Sequence, residues 1–142
     1  MLNKKSEANL ETAKLCLKKE DVNFYSVGVS RAYYSIFQAA KYLLAKNGFD
    51  YKLFKTIEPR AGRQRDYAHG SIRIALEYFL LNSGFNAEEN LIFIIKMHKT
   101  FRKLYHWRIV GDYKEEAISK KSLKSAIVSA EMFINELKKY DR

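Results

Sequence analysis

Two clusters in this chain put an arginine where a long amphipathic helix should be apolar. One is Ser30-Arg31-Ala32-Tyr33-Tyr34, followed by Phe37 and Ala39-Ala40; the other is Arg108-Ile109-Val110-Gly111-Asp112-Tyr113. A guanidinium among aromatic side chains on a core-facing helix is costly unless it meets a carboxylate or a phosphate. The two clusters therefore mark a buried polar centre of Arg31, Tyr34, Arg108, Asp112 and Tyr113, suited to holding an anion or to pinning the core. Arg108 and Asp112 are four residues apart and share a helix face, where an ion pair contributes about 0.3–0.5 kcal/mol. Asp112 falls at a helix C-terminus, where the macrodipole disfavours a negative charge. Arg31 is expected to reach across from its own helix to Asp112. Removing Asp112 should then cost several kcal/mol by stranding Arg31.

The histidines offer fewer options. His98 sits on an apolar stripe between Ile95 and Phe101 and reads as a hydrogen-bonded core or interface residue. His106 makes a one-turn pair with Arg102, and His69 stands where a helix begins, as a cap. His98 and His106 are eight apart, without the one-turn spacing of a zinc pair, and there is no CxxC, so no metal site is expected. Nor is there a glycine-rich phosphate loop or a GxSxG or Cys/His nucleophile signature, so no cofactor is expected. Two basic series are candidates for nucleic acid: Arg60, Arg63 and Arg65 in an irregular stretch, and Lys96, Lys99, Arg102 and Lys103 beside Tyr105 and Trp107. Cations attract the phosphate backbone and rings stack on unpaired bases. The competing reading is a solvated helix face over buried rings.

The elements that must position these groups are helical. A first helix runs from about Asn3 to Lys19, with Leu10, Ala13 and Leu17 on one side. A second, from about Asn23 to Lys46, carries the stripe Val29, Tyr33, Ile36-Phe37, Ala40 and Leu43-Leu44, and Gly48 stops it. Residues 51–57 have the composition of a short helix within the irregular stretch from Phe49 to Tyr67. A third long helix spans about His69–Asn82 with Ile72, Ala75, Leu76 and Phe79 inward. Asn86, with Glu89 three residues on, opens a fourth that runs to about Gly111, its stripe Leu91, Ile95, His98, Phe101, Tyr105 and Arg108. The last covers about Glu115–Lys139. Five helices with mostly short joints predict a single all-α domain over residues 1–142, an antiparallel up-down bundle.

One proline and six glycines in 142 residues disfavour a loop-rich β-sandwich. A formal charge of +10 suits an anionic partner, whether nucleic acid, nucleotide or acidic protein. Cys16 is alone, which fits a reducing compartment, and the polar start is no signal peptide, so a cytoplasmic protein is expected. The aliphatic-aromatic run from Leu91 to Ile95 is too short to cross a bilayer.

At its most telling residues the chain resembles the HEPN family, in its small single-domain prokaryotic branch. Ser30-Arg31-Ala32-Tyr33-Tyr34-Ser35-Ile36-Phe37-Gln38-Ala39-Ala40 resembles the second-helix signature of that branch. Tyr67-Ala68-His69-Gly70-Ser71-Ile72 resembles the opening of its third helix, and Leu104-Tyr105-His106-Trp107-Arg108-Ile109-Val110-Gly111-Asp112-Tyr113 the end of its fourth. The resemblance implies a helical bundle that forms a homodimer through its second and fourth helices. It also implies association with nucleotides or RNA, and pairing with a minimal nucleotidyltransferase in toxin–antitoxin-like modules. Many members are metal-independent endoribonucleases with Arg, four to six residues, then His at the end of the fourth helix. Counting from Arg108, that histidine would fall at Tyr113, Lys114 or Glu115, none a competent substitute at neutral pH. Arg63 and His69 match the spacing, but at the wrong place in the chain. The expectation is a dimeric, non-catalytic protein that binds a nucleotidyltransferase, nucleotide or RNA. One alternative is an endoribonuclease with a degenerate site built from Arg108 with His106 or His69. Another is a bare oligomerisation module.

Overall fold

A computed structural model describes residues 3–58, 60, 69–84, 86–114 and 117–141. Arg63, Arg65 and Glu115 lie outside the described residues. The fold is an all-α up-down bundle, and among the described residues no strand occurs. Its helices are α1 (Lys4–Lys18), α2 (Val22–Lys46), α3 (Tyr51–Ile57), α4 (His69–Leu81), α5 (Ala87–Tyr113) and α6 (Lys120–Leu137), followed by a 3-10 turn over Lys138–Tyr140. The sixth helix beyond the five expected is the short α3.

Local chemistry sets where most of these helices begin. Side chains of Asn3, Asp21, Asp50, Asn86 and Ser119 each accept a hydrogen bond from a backbone N–H of the first turn, satisfying donors that the helix leaves open. Gly48, at φ 66°, takes the left-handed conformation that ends α2. The last helix begins at Lys120 and not near Glu115. Ile118 is buried at 1 % exposure and anchors the incoming chain, and Ser119 then caps the helix through Ser122 N–H at 3.0 Å.

α2 is the central helix, packed against α1, α4, α5 and α6. It buries Val29, Ala32, Tyr33, Ile36, Ala39, Ala40, Leu43 and Leu44, so its expected stripe holds, with Phe37 half-buried. The stripe expected for α5 holds from His98 onward, with Phe101 buried and His98, Tyr105 and Arg108 half-buried, but fails in the first turns. Leu91 and Ile95 are 53 % and 58 % exposed, and the core face is Phe93, Ile94, Met97, Phe101 and Leu104. α5 is apolar on more than one side, so periodicity alone admits either face. The face carrying Phe93 and Phe101 prevails because both rings pack on Phe133 of α6, at centroid distances of 5.8 and 5.4 Å.

Two contacts fix how the ends of α5 sit. Near its start, buried Asn90 donates to the Leu80 carbonyl at 3.1 Å and to Ser83 Oγ at 3.2 Å, and accepts from the Tyr140 hydroxyl at 2.6 Å. Near its end, Gly111 comes so close to α2 that a Cβ there would lie 3.1 Å from both the Ser26 carbonyl oxygen and Val29 Cγ2. That approach lays the last turns of α5 along the tyrosine pair of α2.

Candidate functional site

Tyr33 is the floor of the site. It projects from α2 into the core at 2 % exposure, with its ring edge-on to Tyr34 at 5.3 Å and tilted against Tyr105 of α5 at 5.7 Å. His69, the first residue of α4, comes in from the opposite side. Its ring stacks on Tyr105 at 3.8 Å with an interplanar angle of 16°, and its Nδ1 lies 2.5 Å from the Tyr33 hydroxyl. The side chain is thus turned into the bundle and does not cap its own helix.

Arg108 sits over this aromatic group. Its guanidinium carbon is 5.1 Å from the Tyr34 ring centre, 5.5 Å from Tyr33 and 5.9 Å from Tyr105. Each such contact is worth about 0.5–1 kcal/mol where exposed and about 2 kcal/mol where desolvated. The side chain is 19 % exposed, and its nearest carboxylate oxygen, Asp112 Oδ2, is 3.6 Å from Nε, an ion pair longer than a hydrogen bond. The buried Nε has no hydrogen-bond partner among the described residues. A cation held by ring faces, with donor capacity left over, is suited to receive an anion.

The protonation states follow from the surroundings. Burial, reinforced by the nearby cations Arg73 and Arg108, pushes His69 down to about 4. Burial also raises the Tyr33 hydroxyl well above the usual tyrosine range, with Arg108 opposing. At neutral pH Tyr33 therefore donates to Nδ1 of a neutral imidazole, whose remaining proton is on Nε2. Such a histidine can donate a hydrogen bond from Nε2 but is a weak base, and almost none of it is protonated to serve as an acid.

The residues nominated from sequence separate. Arg108 and Tyr34 come together, and His69 joins them. Asp112 is exposed, pairing with Arg108 and accepting from Ser30 Oγ at 3.5 Å. Arg31 is not its partner: it is exposed on the α1 side, where Nη1 donates to Asn9 Oδ1 at 3.4 Å. One step along a helix turns the side chain by about 100°. Ser30, Tyr33 and Tyr34 therefore face α5 while Arg31 swings away. Tyr113 is 70 % exposed and lies outside the group of rings around Arg108. His106 is exposed and packs edge-on against Trp107 at 5.2 Å, outside the site.

The basic series on α5 is split between two sides of the helix. Arg102 joins Arg60, Arg73 and His98 around Glu77 in a pocket of about 420 Å³ between α4 and α5. His98 bonds Glu77 at 3.0 Å, and Arg60 is spent on Glu58 and Glu77 at 3.0 and 2.8 Å. Lys96, Lys99 and Lys103 line a separate groove against α6. Among the described residues no three His, Cys, Asp or Glu side chains gather to hold a metal, and no helix is long and apolar enough to cross a membrane.

Tyr33, Tyr105 and Arg73 were missing from the sequence-derived site. The local signals were Tyr33 beside Tyr34 in the first cluster and Tyr105 three residues before Arg108, on the same face of α5.

The comparisons with known proteins agree with the all-α fold. A curated relative from Methanocaldococcus jannaschii, named as a toxin candidate, is 28 % identical over 134 residues, covering 94 % of this chain and 81 % of its own length. No solved structure matches significantly. The family model for the HEPN domain matches residues 1–140, which takes in the paired tyrosines of α2, the histidine that opens α4 and the arginine near the end of α5; the chain belongs to the HEPN domain family.

Proposed function

We propose that this protein is a non-cleaving subunit of a toxin–antitoxin-like module in the cytoplasm. It binds the phosphate of a nucleotide or RNA at Arg108 and takes a minimal nucleotidyltransferase as its protein partner. The observation that carries the reading is the Arg108 guanidinium, held by three tyrosine rings with a buried Nε that no described acceptor uses. The toxin name of the archaeal relative supports the module. Homodimer formation is supported by α5, whose Leu91, Ile92 and Ile95 stand about half exposed on one stretch of helix.

A ribonuclease reading has one observation in its favour, the placement of His69 beside Arg108 through their shared contacts with Tyr33 and Tyr105. Two facts weigh against it: His69 spends Nδ1 on Tyr33, and burial holds it near 4, too low for an efficient proton shuttle at neutral pH. The test is binding and cleavage of a labelled single-stranded RNA, with ADP as the mononucleotide probe. The expected result is uncleaved RNA, with affinity for RNA or ADP falling about tenfold or more in Arg108→Ala and partly kept in Arg108→Lys. Cleavage by the wild type that Arg108→Ala or His69→Ala abolishes would establish the enzyme instead. Affinity unchanged in Arg108→Ala would leave only an oligomerisation module.

A further inference from the structure

On the other side of α5 from His98 and Arg102 lies a groove of about 510 Å³ between α5 and α6. Its floor is apolar, formed by Phe93, Met97, Phe133 and Met132, the last 62 % exposed. Lys96, Lys99 and Lys103 run along its α5 wall at a spacing of three and then four residues. None of these lysines pairs with a carboxylate among the described residues. The acid in the lining, Glu136, is already paired with Lys139 at 3.0 Å.

Lys103 shows most clearly that the lysine row has no paired carboxylate. It is half-buried, and its ammonium donates to Ser125 Oγ at 2.6 Å and Ser129 Oγ at 2.9 Å. Two serine oxygens lower the cost of burying the cation but do not neutralise it. Neither hydroxyl donates onward to an acceptor among the described residues.

We propose that this groove docks an acidic amphipathic helix of a partner protein. Charge and shape select that occupant. An amphiphilic anion such as a fatty acid carries its charge at one end and would call for one cation, not a row repeating once per turn. A single-stranded nucleic acid would answer the row of lysines, but stacking of its bases calls for open ring faces. Phe93 and Phe133 are 4 % and 3 % exposed and packed on each other. A helix with leucines on one face and carboxylates beside them satisfies the methionine-rich floor and the lysine wall together. From Phe93 to Lys103 the groove follows roughly 15 Å of α5, about three turns. The proposal rests on the preceding reading only in taking a protein as partner, and it makes no use of the Arg108 site.

The test uses the full chain and a labelled synthetic helix of about 18 residues, leucine on one face and glutamate along its flank. Fluorescence anisotropy should show saturable binding that weakens with salt. Lys96→Glu with Lys99→Glu should reduce affinity about tenfold or more, and so should Met132→Glu, each variant first shown by circular dichroism to melt as the wild type does. A peptide with lysine in place of glutamate should prefer the charge-reversed protein. Lys4→Glu with Lys5→Glu makes the same charge change on α1 and should leave affinity within about twofold. The proposal fails if the groove and α1 variants weaken binding equally, or if the peptide does not bind at all. It also fails if single-stranded RNA or dodecanoate, not the peptide, is what Lys96→Glu with Lys99→Glu displaces. Arg108→Ala should bind the peptide normally, so loss of peptide binding with ADP binding intact sinks the groove alone, and the reverse sinks the Arg108 reading alone.

Discussion

Arg108 keeps its charge among rings because the faces of Tyr33, Tyr34 and Tyr105 supply what a buried carboxylate otherwise would. Asp112 is consequently a minor partner. It is exposed, and its pairing with Arg108 is an ordinary one-turn contact, so Asp112→Ala should change stability by no more than about 0.5 kcal/mol in a urea melt. A loss of several kcal/mol would restore the cross-helix pair with Arg31. His69 makes a second prediction at this scale. The unfolded chain takes up its proton near the ordinary histidine value of 6.5, whereas the folded protein resists until about 4. Between those values the unfolded state binds more protons, so acid favours unfolding. The His69 contribution is whole above pH ~6.5 and disappears as pH falls towards ~4, a loss of roughly 2 kcal/mol once the partial exposure of the ring is allowed for. His69→Gln should flatten the stability profile in that window, and an unchanged slope would contradict the assignment.

Among the elements, α5 does the most to assemble the site, and its two ends are held by different means. At its start the carboxamide of Asn90 ties the end of α4, α5 and the C-terminal turn together, and Asn90→Ala would remove the acceptor of the Tyr140 hydroxyl and one of the donors to the Leu80 carbonyl, which Ser83 Oγ also reaches at 2.9 Å. A loss of about 1–3 kcal/mol is expected in chemical denaturation. At its end, Gly111→Ala would push a methyl group towards the Ser26 carbonyl, a backbone atom that cannot swing aside. The cost should be about 1–3 kcal/mol. Because the same turn carries Arg108, anion affinity should fall as well; a variant as stable and as tight-binding as the wild type would show that the approach is loose. The cap that starts α5 was legible in the sequence because a cap is a local event, the Asn86 side chain meeting an N–H three residues on. The core face of the first half of α5 was not legible, because Leu91 with Ile95 and Phe93 with Met97 have the same helical spacing and only the packing of Phe93 on Phe133 of α6 chooses between them.

For the whole molecule, the charge of +10 is unevenly used. On α5 the cations divide between a pocket partly neutralised by Glu77 and a groove whose lysines pair with no described acid. RNA held through Arg108 and its neighbours should lose affinity as salt rises, with a slope near 0.7 per phosphate neutralised, and Arg108→Ala should lower that slope by about one contact. A slope near zero would mean that binding is not driven by the backbone phosphates.

From its residues alone this chain declared an all-helical bundle, a long second helix with one buried face and an arginine near the end of α5, since helical period, caps and stops depend on neighbours within a turn or two. Only the tertiary structure decided which groups meet. It carried His69 across 36 residues to Tyr33, turned Arg31 out to Asn9 and divided the basic run of α5 between two grooves. These outcomes depend on how each helix is rotated about its axis. A shift of one residue, about 100°, is enough to move a side chain from one neighbour to another.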